Sequence, residues 1–223
     1  KIKDYDIKYL NKLKGNSSRS GALNKSKGGN ELINIDKDKS YARYHSLDSL
    51  TFEDQNKLFG KEMLNKIFKA CSILCGYKVK FDDISFSLAE TKGENSNSFW
   101  HSDAYFPVIK GFVCLTNISK EDSPFQYSEG TTDPSILEKI YNDWAFYKHS
   151  DKANSPRIVD KNILSYIEKK KISMTGSKGF MYVANTSGLH KKGLDLSGKK
   201  RILLFFGLKR LDLLSRIKRS FFF

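Results

Sequence analysis

The sequence predicts a mainly β protein, an antiparallel sandwich or jelly roll with a helix packed against its outside. The clearest helical pattern comes early, in residues 52–75, and several short strand-like segments follow it. A short helical insertion then precedes two further strand-like segments. Strands and helices do not alternate regularly, and this order disfavours a doubly wound parallel sheet.

The composition is that of a single domain with a core of its own. The chain has 223 residues, of which 39% are hydrophobic and 13% aromatic. No run approaches the roughly 18 apolar residues that a membrane-spanning helix needs. Three cysteines without a pairing framework, and no secretory signal pattern, predict a reducing, cytoplasmic location.

The net charge of +14 has two interpretations. One is a solvated, lysine-rich surface, and the other is attraction to an anionic ligand, nucleic acid or membrane. No zinc-finger, RNP-type or glycine-rich phosphate-loop pattern supports a specific nucleic-acid module. We therefore expect no specific nucleic-acid partner.

The N-terminal part is predicted to be an extension followed by one supporting helix. Residues 1–50 form the extension, with a weak helix in 1–14 and a Gly/Ser/Asn/Lys-rich loop in 15–30. Residues 51–76 form the helix, which ends at Gly76. Apolar residues at three- and four-residue spacing give this helix one buried stripe: Leu64, Ile67, Phe68, Cys71, Leu74 and Cys75.

Residues 77–207 are predicted to form the β core. In residues 84–88 apolar side chains alternate with serines, as in a half-buried strand. The other predicted strands are 111–118, 123–130, 179–185 and 200–207, and the predicted helices are 134–149 and 160–170.

The C-terminal segment, residues 208–223, is predicted to be a basic amphipathic helix that completes a single domain spanning residues 1–223. Leu211, Leu214 and Ile217 recur every three positions, and five basic residues face one acidic residue. Such a helix packs its apolar stripe on the outside of the β core, or it lies on an anionic membrane or a partner.

Two stretches carry the candidate site residues. "FWHSDAYFP" places His101 two positions before Asp103, and residues two apart in an extended chain point the same way. His190 lies in the distant stretch "NTSGLHKKG", at the end of a strand-like segment. Two imidazoles and one carboxylate on one face are the ligand set of non-haem Fe(II) oxygenases. The alternative for each histidine is a satisfied hydrogen bond at a strand end.

Arg201 adds a candidate anion-binding residue. It opens the very apolar strand "RILLFFG", where a guanidinium needs an anionic partner, and a carboxylate fits it bidentately. The alternative is a surface arginine beside Lys199 and Lys200.

The pattern "WHSDAYFP … SPFQYSEGTT … GFMYVANTSGLHKKG … GKKR" resembles the phytanoyl-CoA dioxygenase-like family of Fe(II)/2-oxoglutarate-dependent oxygenases, over about residues 80–207. The resemblance implies a double-stranded β-helix, a cupin-like jelly roll. It implies His101, Asp103 and His190 as metal ligands and Arg201 as the anchor of the far carboxylate of 2-oxoglutarate. Thr131-Thr132 replaces the Ser-His with which the family's glycine-containing turn usually ends.

The resemblance also implies an activity. The enzyme would use O2 and 2-oxoglutarate to hydroxylate a small organic substrate, releasing succinate and CO2. Related iron halogenases lack the carboxylate ligand, so Asp103 favours oxygenation over halogenation. Thr116 is a further candidate 2-oxoglutarate ligand. Three aromatic residues line the substrate mouth or belong to the core: Trp100, Tyr105 and Phe106.

The substrate class and two alternatives stay open. The excess of basic residues favours an anionic small molecule as the substrate. Four lysines near the mouth of the predicted site would attract it: Lys191, Lys192, Lys199 and Lys200. One alternative is a cupin-type metalloenzyme without 2-oxoglutarate, in which Arg201 would have no function. The other is a non-catalytic basic binding protein with a degenerate jelly roll.

Overall fold

The computed structural model describes residues 24–25, 32–35, 41–44, 52–93, 96–104, 107–139 and 161–208. Within these ranges the helices are α1 (Phe52–Phe59), α2 (Lys61–Cys75) and α3 (Lys161–Lys169), and residues 134–139 are also helical. The strands are β1 (Asn24–Lys25), β2 (Leu32–Ile35), β3 (Tyr41–Tyr44), β4 (Ile84–Thr91), β5 (Ile109–Cys114), β6 (Phe125–Ser128), β7 (Lys171–Met174), β8 (Met181–Asn185), β9 (His190–Lys192) and β10 (Arg201–Leu208).

The strands form two antiparallel sheets. The large sheet has the order β1-β2-β3-β4-β10-β5-β8, and the small sheet has the order β7-β6-β9. All the strand pairs among the described residues are antiparallel. The pairs β1·β2 and β2·β3 join neighbouring segments, whereas β4·β10, β5·β10 and β5·β8 join segments far apart in the chain. The predicted fold class, a mainly β jelly roll with flanking helices, is confirmed.

Strand β10 lies in the large sheet between β4 and β5, and its two faces serve different purposes. Leu204 and Phe206 point to the helical side and are fully buried there. Leu203 and Phe205 point to the other side and line a cavity together with Arg201. This is the two-residue alternation of a β-strand, and it places Arg201 on the cavity side.

Helix α2 covers the outer face of the large sheet. Its buried residues Leu64, Ile67 and Cys71 belong to one cluster with Phe86 of β4 and with β10. The continuous helix predicted for residues 52–75 is wrong, because it divides at Gly60, whose φ of 79° lies in the left-handed region.

Several short strands of the structure were not predicted from the sequence. Strands β2 and β3 lie in the predicted extension, and β3 pairs with β4 and so widens the large sheet. Strands β7 and β9 flank β6 in the small sheet. Predictions for residues 1–14, 140–149 and 209–223 lie outside the described residues. In the described part of the chain, no helix combines the length and apolarity needed to cross a membrane.

A tight contact between sheet and core gives a stability prediction. A Cβ at Gly111 of β5 would overlap the ring of Phe206, whereas one at Gly207 would approach no atom closer than 3.7 Å. We expect Gly111→Ala to lower the free energy of unfolding by about 2–3 kcal/mol, because overpacking forces side chains and backbone to shift. Gly207→Ala is the control, and urea denaturation of both variants is the measurement. Equal stabilities of the two would contradict this packing.

Candidate metal centre

The two candidate histidines are held side by side by their own backbones. The His101 N–H donates to the His190 carbonyl and the His190 N–H donates to the His101 carbonyl, both at 2.9 Å. Strand β9, which begins at His190, is the edge of the small sheet, and its inner neighbour is β6. The outer side of β9 thus receives His101, and the two ring centroids are 4.3 Å apart.

Hydrogen bonds to carbonyl groups orient both rings in the same way. His101 Nδ1 lies 2.7 Å from the Phe99 carbonyl oxygen, and His190 Nδ1 lies 2.9 Å from that of Gly188. A carbonyl oxygen only accepts, so each Nδ1 carries the hydrogen and, in the neutral ring, each Nε2 carries the lone pair. This is the tautomer in which metal-binding histidines are usually fixed.

Asp103 completes the group. Its N–H donates to the Thr186 carbonyl at 2.9 Å, and its Oδ2 lies 3.4 Å from His190 Nε2. One ligand atom from each of the three residues lies within 4.8 Å of the others. His45 and His149 lie outside the described residues.

The environment of Asp103 keeps this side chain ionised. Burial raises the pKa of the carboxyl, but the charge of His190 and the ammonium of Lys110 outweigh burial. The net effect holds the pKa well below its usual range. Lys110 Nζ lies 2.7 Å from Asp103 Oδ2, so the carboxylate carries a direct ion pair.

The turn before His190 is fixed by a buried threonine and a glycine. The fully buried Thr131 accepts a hydrogen bond from the Leu189 N–H at 2.8 Å and donates to the Ser128 carbonyl at 2.7 Å. A Cβ at Gly188 would overlap the hydroxyl of Tyr127. Thr131 therefore supports the segment that carries His190.

Glu168 of α3 joins the two histidine-bearing segments. Its Oε1 accepts hydrogen bonds from Trp100 Nε1 and from Lys191 Nζ, both at 2.8 Å, and each donor is the chain neighbour of a histidine. The Lys191 ammonium also lies 4.8 Å from the centroid of the Trp100 ring. Trp100 is buried against Ile167 and Leu189, so it belongs to the core. Tyr105 and Phe106 lie outside the described residues.

The triad faces a cavity of about 160 Å³ between the sheets, with Arg201 in its wall. Arg201 is 8% exposed, and its Nε donates to Thr91 Oγ1 at 3.0 Å while Nη1 donates to the Ser123 carbonyl. The buried hydroxyl of Tyr182, another wall residue, has no hydrogen-bond partner among the described residues. Burial raises the pKa of Tyr182 further than the charge of Arg201 lowers it, so the phenol stays protonated.

Thr116 does not line this cavity. It lies in a bend after β5, and its hydroxyl accepts a hydrogen bond from the Ile202 N–H at 3.2 Å. Sequence reasoning missed Lys110, Tyr182 and Glu168, because each looks like an ordinary lysine, strand tyrosine or helix-surface acid in its local pattern.

Of the four lysines predicted near the mouth, two line the cavity, Lys191 and Lys192. Lys191 pairs with Glu168, and Lys192 is buried with its ammonium on the Gly93 carbonyl. Lys199 and Lys200 are exposed, and Lys200 Nζ lies 3.4 Å from Glu90 Oε2.

Comparison with known proteins identifies no family for this chain. No family model matches it, and no curated protein matches it in sequence. Several solved structures are similar. EvdMO1 is 14% identical with a TM-score of 0.49, and the match covers 92% of this chain and 42% of that one. The chain therefore spans less than half the length of EvdMO1.

Two other similar structures contain a metal ion and 2-oxoglutarate. HygX from Streptomyces hygroscopicus, with nickel and 2-oxoglutarate bound, is 15% identical with a TM-score of 0.46, covering 90% of this chain and 76% of that one. The epimerase SnoN, in complex with Fe3+, alpha ketoglutarate and nogalamycin RO, is 10% identical with a TM-score of 0.47, covering 91% and 73%. At these values the likeness assigns no residue, and the site depends on its own geometry.

The Glu168 network predicts a pH-dependent contribution to stability. Burial raises the pKa of Glu168, but hydrogen bonds from Lys171, Lys191 and Trp100 prevail and lower it from 4.5 to about 2. We expect Glu168→Gln to lower the free energy of unfolding at pH 7 by about 1 kcal/mol, a modest value because the side chain is 38% exposed.

The sign of the pH dependence follows from the lowered pKa. The folded state stabilises the ionised form of Glu168 relative to the unfolded state. The contribution of Glu168 to the free energy of unfolding is therefore fully present above pH 4.5 and is lost as the pH falls towards about 2. Urea denaturation of both proteins at several pH values checks this. A difference between them that grows as the pH falls from 4.5 would contradict the network.

Proposed function

We propose that this protein is an Fe(II)- and 2-oxoglutarate-dependent dioxygenase that hydroxylates a small organic substrate. The observation that carries the proposal is the meeting of His101, Asp103 and His190 on the wall of a cavity that also contains the buried Arg201. Two neutral imidazoles and one carboxylate suit Fe(II) and leave three coordination positions open. Hydroxylation, the use of O2 and a cytoplasmic location are part of the proposal.

The three residues suit a divalent metal in their protonation states. Both histidines present Nε2 lone pairs, because each Nδ1–H is held by a carbonyl group. Asp103 is ionised and supplies the negative charge. In their neutral forms, His101 and His190 would therefore hold the metal together with Asp103 without a change of tautomer.

The far side of the cavity suits a carboxylate. Arg201 brings a buried positive charge, and the unpartnered Tyr182 hydroxyl brings a hydrogen-bond donor. A volume of about 160 Å³ is below the 300 Å³ or more of typical drug-sized pockets, which favours a ligand as small as 2-oxoglutarate. Arg201 and Tyr182 would bind the carboxylate that is remote from the metal.

When bound, iron would activate O2, which is the oxidant, and 2-oxoglutarate would supply two of the four electrons that O2 accepts, the other two coming from the substrate C–H bond. The protein's own residues orient the reactants and exclude water. Phe112, Phe125 and Phe205 form apolar walls around the triad, and an apolar wall strengthens the charge interactions inside it. The second half of the reaction, attack on a substrate C–H bond, needs a substrate placed beside the triad.

Two alternatives are less well supported. A cupin-type metalloenzyme without 2-oxoglutarate would leave the Arg201 and Tyr182 pair without a ligand. A non-catalytic binding protein would have no use for two histidines fixed in the metal-binding tautomer beside an ionised aspartate.

Anaerobic addition of Fe(II) and then 2-oxoglutarate tests the proposal. We expect a weak visible absorption band that appears only when both are present and saturates at one equivalent of each. A band that forms equally well in His190→Ala, or no band in the folded wild type, would contradict the proposal.

Removal of the carboxylate ligand should release the metal. We expect Asp103→Ala to weaken Fe(II) or Co(II) binding by more than about 100-fold, since a ligand matters at least as much as the groups that orient it. Asp82→Ala, which removes an exposed carboxylate in the turn before β4, is the matched control. Calorimetric titration measures both, and an Asp103→Ala affinity equal to that of the control would remove Asp103 from the site.

Removal of the cavity guanidinium should affect the co-substrate and spare the metal. We expect Arg201→Ala to weaken 2-oxoglutarate binding by about 100-fold or more, because a charge-assisted pair in a desolvated site is lost. Tyr182→Phe, which removes one neutral hydrogen bond, should weaken it by about fivefold. Metal affinity should stay unchanged in both, and unchanged 2-oxoglutarate affinity in Arg201→Ala would place the anchor elsewhere.

A further inference from the structure

We propose that Lys110 binds a carboxylate group of the organic substrate, and that metal binding to Asp103 makes its ammonium available for this purpose. The inference rests on the proposed function and adds a substrate class to it, namely carboxylic acids. It also assigns a substrate-binding residue that the sequence pattern did not reveal.

Lys110 lies in direct contact with the triad. Its Nζ lies 2.7 Å from Asp103 Oδ2, and the same oxygen lies 3.4 Å from His190 Nε2. The Lys110 ammonium is therefore paired with the same carboxylate oxygen that lies nearest His190. Its side chain is 22% exposed and lines the cavity.

A metal and this ammonium compete for one oxygen. Metal–carboxylate bonds are about 2.0–2.2 Å long, so an ion on Asp103 Oδ2 would lie less than about 5 Å from Lys110 Nζ where it stands now. Two positive charges so close repel each other strongly where protein walls limit screening. The flexible four-carbon stem of lysine lets the ammonium swing away from Asp103, and the Phe205 ring, whose centroid already lies 5.5 Å from Nζ, would stay close to it.

The displaced ammonium then needs an anion, because a half-buried charge without a partner is costly. 2-Oxoglutarate does not provide it under the proposed function, since one of its carboxylates lies at the metal and the other at Arg201. The register of β10 places the backbones of Lys110 and Arg201 far apart. Lys110 pairs with Gly207 and Arg201 pairs with Thr91, so their backbones lie at opposite ends of an eight-residue strand, about 20 Å apart.

The other lysines of the cavity wall indicate the charge of the anion that would bind Lys110. Lys191 is neutralised by Glu168, and the ammonium of Lys192 lies on the Gly93 carbonyl. Lys110 is the cation of this wall whose carboxylate partner the metal would take, and its single positive charge suits a carboxylate better than a doubly charged phosphate. The substrate's acidic group would lie beside the triad, and its reactive C–H bond close to that group.

A competing role predicts the opposite effect on the metal. If Lys110 stayed on Asp103 as an orienting partner of the bound carboxylate, its removal would weaken metal binding by 10- to 100-fold. If it is displaced, its removal strengthens metal binding. The direction of the change therefore separates the two roles.

The first experiment titrates Co(II) alone into the full chain. We expect Lys110→Met to bind Co(II) at least about threefold more tightly than the wild type. Lys110→Arg keeps the charge and should stay near the wild type, as should Lys120→Met, which removes a charge from an exposed turn. Unchanged or weaker binding in Lys110→Met overturns the inference alone. Equal Co(II) affinity of wild type and His190→Ala overturns the proposed function and the inference with it.

The second experiment adds acetate, the smallest suitable carboxylate, to the complex with Co(II) and 2-oxoglutarate. We expect a saturable change in the Co(II) visible spectrum of the wild type and at least a tenfold higher half-saturating concentration in Lys110→Met. Acetamide, which is neutral, should give no change in either protein. The inference fails if acetate acts equally on both proteins or has no effect on the wild type. It also fails if Lys110→Met loses 2-oxoglutarate affinity as Arg201→Ala does.

Discussion

The antiparallel backbone pair between His101 and His190 is the interaction on which the site depends. Its two hydrogen bonds are made by main-chain atoms, so the positions of the histidines do not require a metal. The same pair attaches the 96–104 segment to the small sheet, and Glu168 reinforces the junction from outside through Trp100 and Lys191. The site is therefore preorganised by the fold, and the hydrogen bonds at both Nδ1 atoms fix the ring orientations as well.

The balance of charge explains why this cavity is suited to anions. Among the described residues, its wall contains one carboxylate, Asp103, and four cationic side chains, of which Lys191 forms an ion pair with Glu168. Buried positive charge is costly unless an anion or a dipole offsets it. Arg201 and Lys192 donate hydrogen bonds to backbone carbonyls, and Lys110 forms an ion pair with Asp103. A metal on Asp103 would add positive charge, which favours negatively charged ligands in the rest of the cavity. Of the lysines first expected to attract the substrate, Lys191 and Lys192 line the cavity and already have partners.

The sequence predicted those features that depend on strong local periodicity. The stripe of α2, the alternation of β4 and the apolar run of β10 are long enough to identify. Only the structure shows that Arg201 shares a face with Leu203 and Phe205. The site residues were indicated by residue type and spacing, and their meeting required the fold. Strand β9 was missed because it has three residues, two of them lysines, and forms only through pairing with β6 and His101. The division at Gly60 was missed because an amphipathic pattern continues through it. Lys110 and Glu168 carry no local signal, since their importance comes from partners distant in the chain.

X-ray absorption spectroscopy at the iron edge of the Fe(II)-loaded protein tests the central claim most directly. We expect a first shell of nitrogen and oxygen atoms at about 2.0–2.2 Å from the iron, with outer-shell scattering from two imidazole rings that falls to one ring in His101→Ala. A shell without imidazole scattering, or one unchanged in that variant, would contradict the assignment of this His–Asp–His group as the metal centre.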